Sequence, residues 1–209
     1  MKEFPQMKKQ RIFALSLAAF LMLAGAVIAG SGRTDEAAYV PPAIGTAIED
    51  FSLPDTDGKN HSLAELKGKN GTVFIFMSAQ CPVSNAYNER MEALAQDFAK
   101  RGIAVIGINA NATESTDVVK AHAAEKHLTF TILKDSGNKI ADKLGATRTP
   151  EAFLLDSNNK LAYHGRIDNS KDESGVETRE LRDAMEALAS GKPITKTTAM
   201  AFGCTIKRA

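Results

Sequence analysis

An α/β fold with a mixed central sheet and helices on both faces is the architecture this sequence predicts, and three observations carry it. The first is a pair of continuous apolar runs, 72–77 (Thr72-Val73-Phe74-Ile75-Phe76-Met77) and 103–108, rich in β-branched and aromatic residues. Such runs suit strands buried on both faces. The second lies between them: over 82–101, Tyr87, Met91, Leu94 and Phe98 recur at helical spacing, with charged residues elsewhere. The third is a late strand–turn–strand pattern, in which 152–155 and 160–163 flank Asp156-Ser157-Asn158-Asn159. It adds antiparallel strands to a sheet otherwise built by crossovers.

The remaining elements follow from local chemistry. Phe51-Ser52-Leu53-Pro54 reads as a short strand entering a turn at Asp57-Gly58, a pair that tolerates positive φ. Ser62 caps one helical turn that stops at Gly68. Residues 116–126 read as a helix, 128–133 as a strand, and 138–144 as a short helix closed by Gly145. Over 176–189, Leu181, Met185 and Leu188 share the face of a last helix, and 192–209 shows no clear period.

The totals exclude several classes. With 209 residues, 24% charged and 44% hydrophobic, the chain fits one ordinary domain plus a leader. Lys2, Lys8, Lys9 and Arg11 against Glu3 give the leader +3, leaving −2 for the rest of a chain whose total is +1. Nothing in that balance points to nucleic acid. Residues 1–29 join a basic stretch to the apolar run 12–29 and end on small residues. They fit a signal peptide or an uncleaved N-terminal membrane anchor. Residues 30–43 read as a linker, 44–190 as the domain and 191–209 as a C-terminal tail carrying Cys204. Either leader places the domain outside the cytoplasm, in the periplasm or tethered to the outer side of the cytoplasmic membrane. Disulfides persist there, so the two cysteines, Cys81 and Cys204, can pair.

Cys81 stands between the first buried strand and the helix that follows, with Pro82 at the helix start. Unpaired backbone N–H groups at that end favour thiolate over thiol, which makes a nucleophile at neutral pH. The bland alternative is a small buried hydrophobe or half of a structural bridge.

The run from Thr72 to Cys81-Pro82-Val83-Ser84 resembles the strand–cysteine–helix unit of the thioredoxin superfamily, and is similar to its redoxin (AhpC/TSA) branch. The segments 51–69 and 145–156 resemble that branch too. The resemblance implies a thioredoxin-like fold and a reactive Cys81; no cofactor or metal is expected, since two cysteines are too few for a thiolate site and the histidines show no ligand spacing. The resemblance also implies a cis Pro150 lying against the sulfur, beside a Thr149 that offers its backbone to substrate. Pro150 has a physical reason to fit, since it precedes a strand whose first position does not need its N–H.

Two departures stand out. Thioredoxins carry a second cysteine where this chain has Ser84, a residue able to hydrogen-bond a thiolate but not to resolve a mixed disulfide. Peroxiredoxins carry a Pro where Phe74 stands and an Arg where Pro150 stands, with Arg148 displaced, although Ser78 fills their Ser/Thr position. Cys204, 123 residues beyond Cys81, has three roles open: a mobile resolving thiol, half of a permanent bridge, or an unpaired thiol. His61, His122, His127 and His164 read as surface or turn residues, and Lys134-Asp135 and Arg166-Ile167-Asp168 as solvated strand-end charges.

The expected function is an extracytoplasmic thiol–disulfide oxidoreductase that attacks protein thiols or disulfides with Cys81 and draws on an external reductant. The alternatives are a thiol peroxidase acting on peroxide and a binding module that keeps the fold without turnover.

Overall fold

The computed structural model describes residues 39–209, so the leader and most of the linker lie outside the described residues. A hairpin of β1 (Ser52–Pro54) and β2 (Asn60–Ser62) opens the domain. Its turn is tied by the Asp55 carboxylate, which accepts from the N–H groups of Asp57 and Lys59. Helix α1 (Leu63–Leu66) starts in a capping box: Ser62 accepts from Glu65 N–H, and the Glu65 carboxylate accepts from Ser62 N–H.

Strand β3 (Gly71–Phe76) is wholly buried, as its unbroken apolar run requires. One helix was expected over 82–101, and two form: α2 (Pro82–Asn85) and α3 (Asn88–Ala99). The break has a local cause. The Ala86 carbonyl, the natural acceptor for Arg90 N–H, accepts from the Arg90 guanidinium instead (3.1 Å). Tyr87 N–H turns back to Ser84 O.

Beyond α3 come β4 (Ile103–Asn109), α4 (Thr116–Glu125) and β5 (Ile132–Lys134). The strand expected over 128–133 is shorter because His127, at φ 54°, ends α4 in the left-handed region. Glu92 then holds Thr129 by its N–H and hydroxyl. Helix α5 (Lys139–Leu144) closes on Gly145 as the sequence indicates. Next are the two-residue β6 (Arg148–Thr149), β7 (Glu151–Asp156), β8 (Leu161–Gly165), α6 (Glu180–Ala189) and β9 (Cys204–Thr205).

The main sheet runs β5-β4-β3-β7-β8, with β3, β4 and β5 parallel and β7 and β8 antiparallel to their neighbours. Alternation along β3 builds two cores. Val73, Ile75 and Met77 pack with α3 and α6 through Met91, Leu94, Phe98, Leu181 and Met185. Phe74 and Phe76 face the other side, with Phe153, Leu155 and the α5 residues Ile140 and Leu144. This is the mixed sheet with helices on both faces, in the thioredoxin-like class. Among the described residues no helix is long and apolar enough to cross a membrane.

Helix α6 begins later than the pattern over 176–189 indicated, because Asn169 Oδ1 accepts from the N–H groups of Glu177 and Thr178 and holds them extended. Its first residue, Glu180, is buried and accepts from Arg166, Lys196 and Thr178. Burial alone would raise its pKa, but those donors hold it at about 2, below its ordinary 4.5. A depressed folded pKa gives stability that is present above pH 4.5 and is lost as pH falls from 4.5 toward 2. The full effect is about 3 kcal/mol. Chemical denaturation should therefore show wild type more stable than Glu180→Gln at pH 6, with the gap closing on acidification.

Candidate active site

Cys81 lies at the junction between β3 and α2 and is 3% exposed. The bend that places it, Ser78-Ala79-Gln80, is held from beneath. Ser78 Oγ accepts from the N–H of Cys81 (3.0 Å) and of Gln80 (3.2 Å), and donates to Glu114 Oε1 (2.5 Å). Glu114 Oε2 accepts from Ala79 N–H (2.8 Å) and from the Asn109 side chain (2.6 Å). Donors thus converge on both oxygens of a buried carboxylate. A carboxylate satisfies such a set; an amide does not.

Pro82 occupies the first position of α2 and is exposed. Since α2 has four residues, the expected long helix behind the sulfur is a single turn. What reaches the sulfur is one N–H, from Ser84, at 3.3 Å. Ser84, expected to stabilise charge on the sulfur, meets it through this N–H, while its Oγ accepts from Ser78 N–H (3.0 Å) and tightens the loop. Ser78 likewise acts on the Cys81 backbone.

On the other side stands the Thr149–Pro150 bond, which is cis. Thr149 O lies 3.4 Å from Cys81 Sγ. Cys204 lies in ordered backbone, where the sequence shows no clear period. It forms a disulfide with Cys81, with Cα atoms 6.0 Å apart, and sits in β9, which pairs antiparallel with β6 so that Thr149 faces Cys204. The chain's own C-terminal strand therefore occupies the Thr149 edge. Gly203 permits this approach: it has φ +141°, and a Cβ there would fall 2.1 Å from Thr149 O.

The tail is anchored along its length, which its lack of periodicity concealed. Thr197 O and Ala199 N–H bond the His164 backbone, and the Phe202 ring rests against Tyr87. Ile206 is buried in the Phe74 core, Lys207 exchanges bonds with the 111–112 backbone and side chain, and Arg208 reaches Asp142 and Ala146 O. Arg148 is exposed and donates to Thr205 Oγ1 (2.8 Å).

Several charges expected at the surface are buried. Lys134 donates to Asn109 Oδ1 and to Asn111 O, both at 2.8 Å, and burial pushes its pKa down. Asp135 accepts from the N–H groups of Ile140 and Ala141 at the start of α5, and burial pushes its pKa up. Asp168 pairs with Arg90 (2.7 Å) and accepts from Tyr87 hydroxyl (2.9 Å), fastening the loop after β8 to α3. Burial, then Asp168, raises the Tyr87 pKa. His122 is buried too, 3.1 Å from the Asn88 amide, and burial lowers its pKa. His61 and His164 pair with Asp55 and Glu151, while His127 takes the expected turn position.

Sequence reasoning missed Glu114, which looks like a solvated loop residue in Asn111-Ala112-Thr113-Glu114-Ser115. The available signal was position: it follows the carboxyl end of a parallel strand, where α/β sheets place their sites.

Comparison with known proteins agrees with this geometry. A profile described as the AhpC/TSA family matches residues 44–164. The thiol-disulfide oxidoreductase ResA of Geobacillus thermodenitrificans (strain NG80-2) is 28% identical over 188 residues, covering 89% of this chain and 99% of that protein. The chloroplastic peroxiredoxin Q of Gentiana triflora is 32% identical over 136 residues, and this match spans 61% of each chain. The crystal structure of a hypothetical protein from Sinorhizobium meliloti 1021 superposes with a TM-score of 0.76 at 33% identity, covering 81% of this chain and 97% of that one.

Proposed function

The chain belongs to the AhpC/TSA family, and on that premise we propose a thiol–disulfide oxidoreductase whose Cys81 and Cys204 cycle between dithiol and disulfide. The observation that carries the reading is the bond itself, which joins a cysteine at the β3–α2 junction to one paired with Thr149 beside the cis proline.

In the reduced protein, Cys81 thiolate attacks one sulfur of a partner disulfide. One partner thiolate leaves and a mixed disulfide forms. Cys204 thiolate then attacks Cys81 Sγ, expels the second partner thiolate and closes the internal bond. The partner disulfide has gained two electrons and the protein has lost two. An external dithiol restores the protein. Its thiolate attacks Cys204, since that residue is half-buried while Cys81 is covered, and Cys81 leaves as a thiolate beside Ser84 N–H. Protein thiols and disulfides are the proposed partners.

Placement outside the cytoplasm is part of the proposal. The basic-apolar leader at 1–29 and a cysteine pair that oxidises within one chain both support it. The binding-module alternative drew on the missing second cysteine, and Cys204 supplies that partner.

Peroxide reduction is the second reading. It draws on the Ser78 hydroxyl, one hydrogen bond from Cys81 N–H, and on the likeness to peroxiredoxin Q. Against it, the Arg148 guanidinium is engaged by Thr205 on the tail.

Equilibration of the protein in graded thiol–disulfide buffers, followed by alkylation and mass spectrometry, tests the main reading. Both thiols should be lost together in one two-electron step. Oxidation of Cys81 alone, with Cys204 still alkylated, would remove the proposed couple. Consumption of hydrogen peroxide at a rate well above that of the disulfide reaction would favour the second reading.

A further inference from the structure

Two cysteines 123 residues apart must meet within bonding distance each time the cycle closes. The elements carrying them, the β3–α2 bend and the β9 strand, come from opposite ends of the domain. The Thr149 edge touches both directly, and a second short stretch braces both from outside the sulfur site. The 109–114 segment, running from the end of β4 toward α4, sends Glu114 to the bend and Asn111 with Ala112 to the tail.

Toward Cys81, the chain of contacts is Glu114 to Ser78 hydroxyl and from there to Cys81 N–H, with Ala79 N–H on the second carboxylate oxygen. Toward Cys204, Asn111 Oδ1 accepts from Lys207 N–H (2.8 Å), and Ala112 N–H donates to Lys207 O (2.7 Å). Lys207 lies three residues beyond Cys204. Lys134 stiffens the stretch from below: it bonds Asn109 Oδ1 and Asn111 O, and the Asn109 amide bonds both Glu114 and Met77 O. Asn109, Asn111, Glu114 and Lys134 are all buried, so this is an internal network and not a set of surface pairs.

We propose that the 109–114 segment is the jig that brings the two cysteines into register, with Glu114 the positioning residue for Cys81 and Asn111 the positioning residue for Cys204. The proposal rests on the dithiol–disulfide reading and adds residues that touch neither sulfur. Its physical content is effective concentration. Closure is an intramolecular attack, and a misplacement of about 1 Å in such a step costs on the order of a hundredfold in rate. Glu114 fixes where the electrophilic sulfur lies and Asn111 fixes where the attacking one lies, so their loss should fall on different steps.

A chromogenic aryl disulfide separates those steps. Attack by Cys81 on this probe releases one coloured thiolate, closure by Cys204 releases the second, and mass spectrometry shows which sulfur carries the aryl group between them. The reduced full-length protein should show two releases. In Asn111→Ala, the ratio of second-phase to first-phase rate should fall about tenfold or more. Asn111→Asp, which keeps the oxygen that accepts from Lys207, should restore most of it. In Glu114→Gln, the first phase should slow and its pH profile should move, since the peptide group of Cys81 loses its fixed setting. Wild-type phase ratios in Asn111→Ala, or an equal loss in both Asn111 variants, would overturn the tail half. An unmoved first-phase pH profile in folded Glu114→Gln would overturn the other half. If Glu114→Gln does not fold, Ser78→Ala, which removes the hydroxyl linking Glu114 to Cys81 N–H, carries the same first-phase test. A wild-type protein that releases only one thiolate would instead bring down the underlying reading.

Discussion

Replacing Cys81 by serine is expected to abolish turnover, and replacing Cys204 by serine to stop it one step later. A serine hydroxyl is almost wholly protonated at neutral pH and is a far weaker nucleophile than a thiolate. Cys81→Ser should therefore lose at least about a thousandfold in disulfide-reducing rate. Cys204→Ser keeps the attacking sulfur, the Ser84 N–H at 3.3 Å and the Thr149 edge, so its first step survives. The mixed disulfide at Cys81 then has no internal thiol to resolve it and should accumulate as a covalent adduct visible by mass spectrometry. Both variants also lose a cross-link over 123 residues, worth up to about 5 kcal/mol in the chain-entropy model. The fair reference for stability is thus reduced wild type. An adduct on Cys81→Ser in place of Cys204→Ser would reverse the assigned roles.

The second large effect belongs to Gly203. A Cβ at this position would fall 2.1 Å from Thr149 O, and the backbone φ of +141° is one that side-chain-bearing residues rarely adopt. The obstructing atom is backbone, so no side-chain movement relieves the clash. Gly203→Val should break the β6–β9 pairing at a cost of about 2–4 kcal/mol. It should also slow closure of the Cys81–Cys204 bond by about a hundredfold. The same variant should leave the Thr149 edge open to an extended strand from another polypeptide, because the resident strand is gone. Hydrogen exchange of the Thr149 amide together with the closure rate checks both consequences. Retained protection at Thr149 and an unchanged closure rate would show that the tail does not depend on this close approach.

What was legible in the sequence was local. The run from Val73 to Phe76 announces a strand buried on both sides, because each successive side chain is apolar and the two cores it feeds lie on opposite faces. The Cys81-Pro82 step marks a helix start, and the resemblance around Thr149-Pro150 marks the edge that faces it. The break at Ala86 was less visible, since it comes from a guanidinium taking a carbonyl that the 3.6-residue pattern assigns to the helix.

The tail and Glu114 were illegible for a different reason. Ile206, Lys207 and Arg208 are fixed by the Phe74 core, by residues 111–112 and by Asp142 with Ala146, contacts that leave no period in the chain. Glu114, Lys134 and Asp168 resemble solvated charges until the partners that bury them are known. The result is a site whose nucleophile could be read from neighbours in sequence, while its second sulfur and its support could be read only from neighbours in space.

The most direct measurement is the reduction potential of the Cys81–Cys204 bond in the folded protein, taken by equilibration against buffers of defined potential. A bond that cycles should reduce without unfolding at a potential between about −300 and −120 mV, the span of thiol–disulfide oxidoreductases. A potential well below about −300 mV, with reduction only once denaturant is added, would make the bond a permanent brace and contradict a working dithiol–disulfide couple.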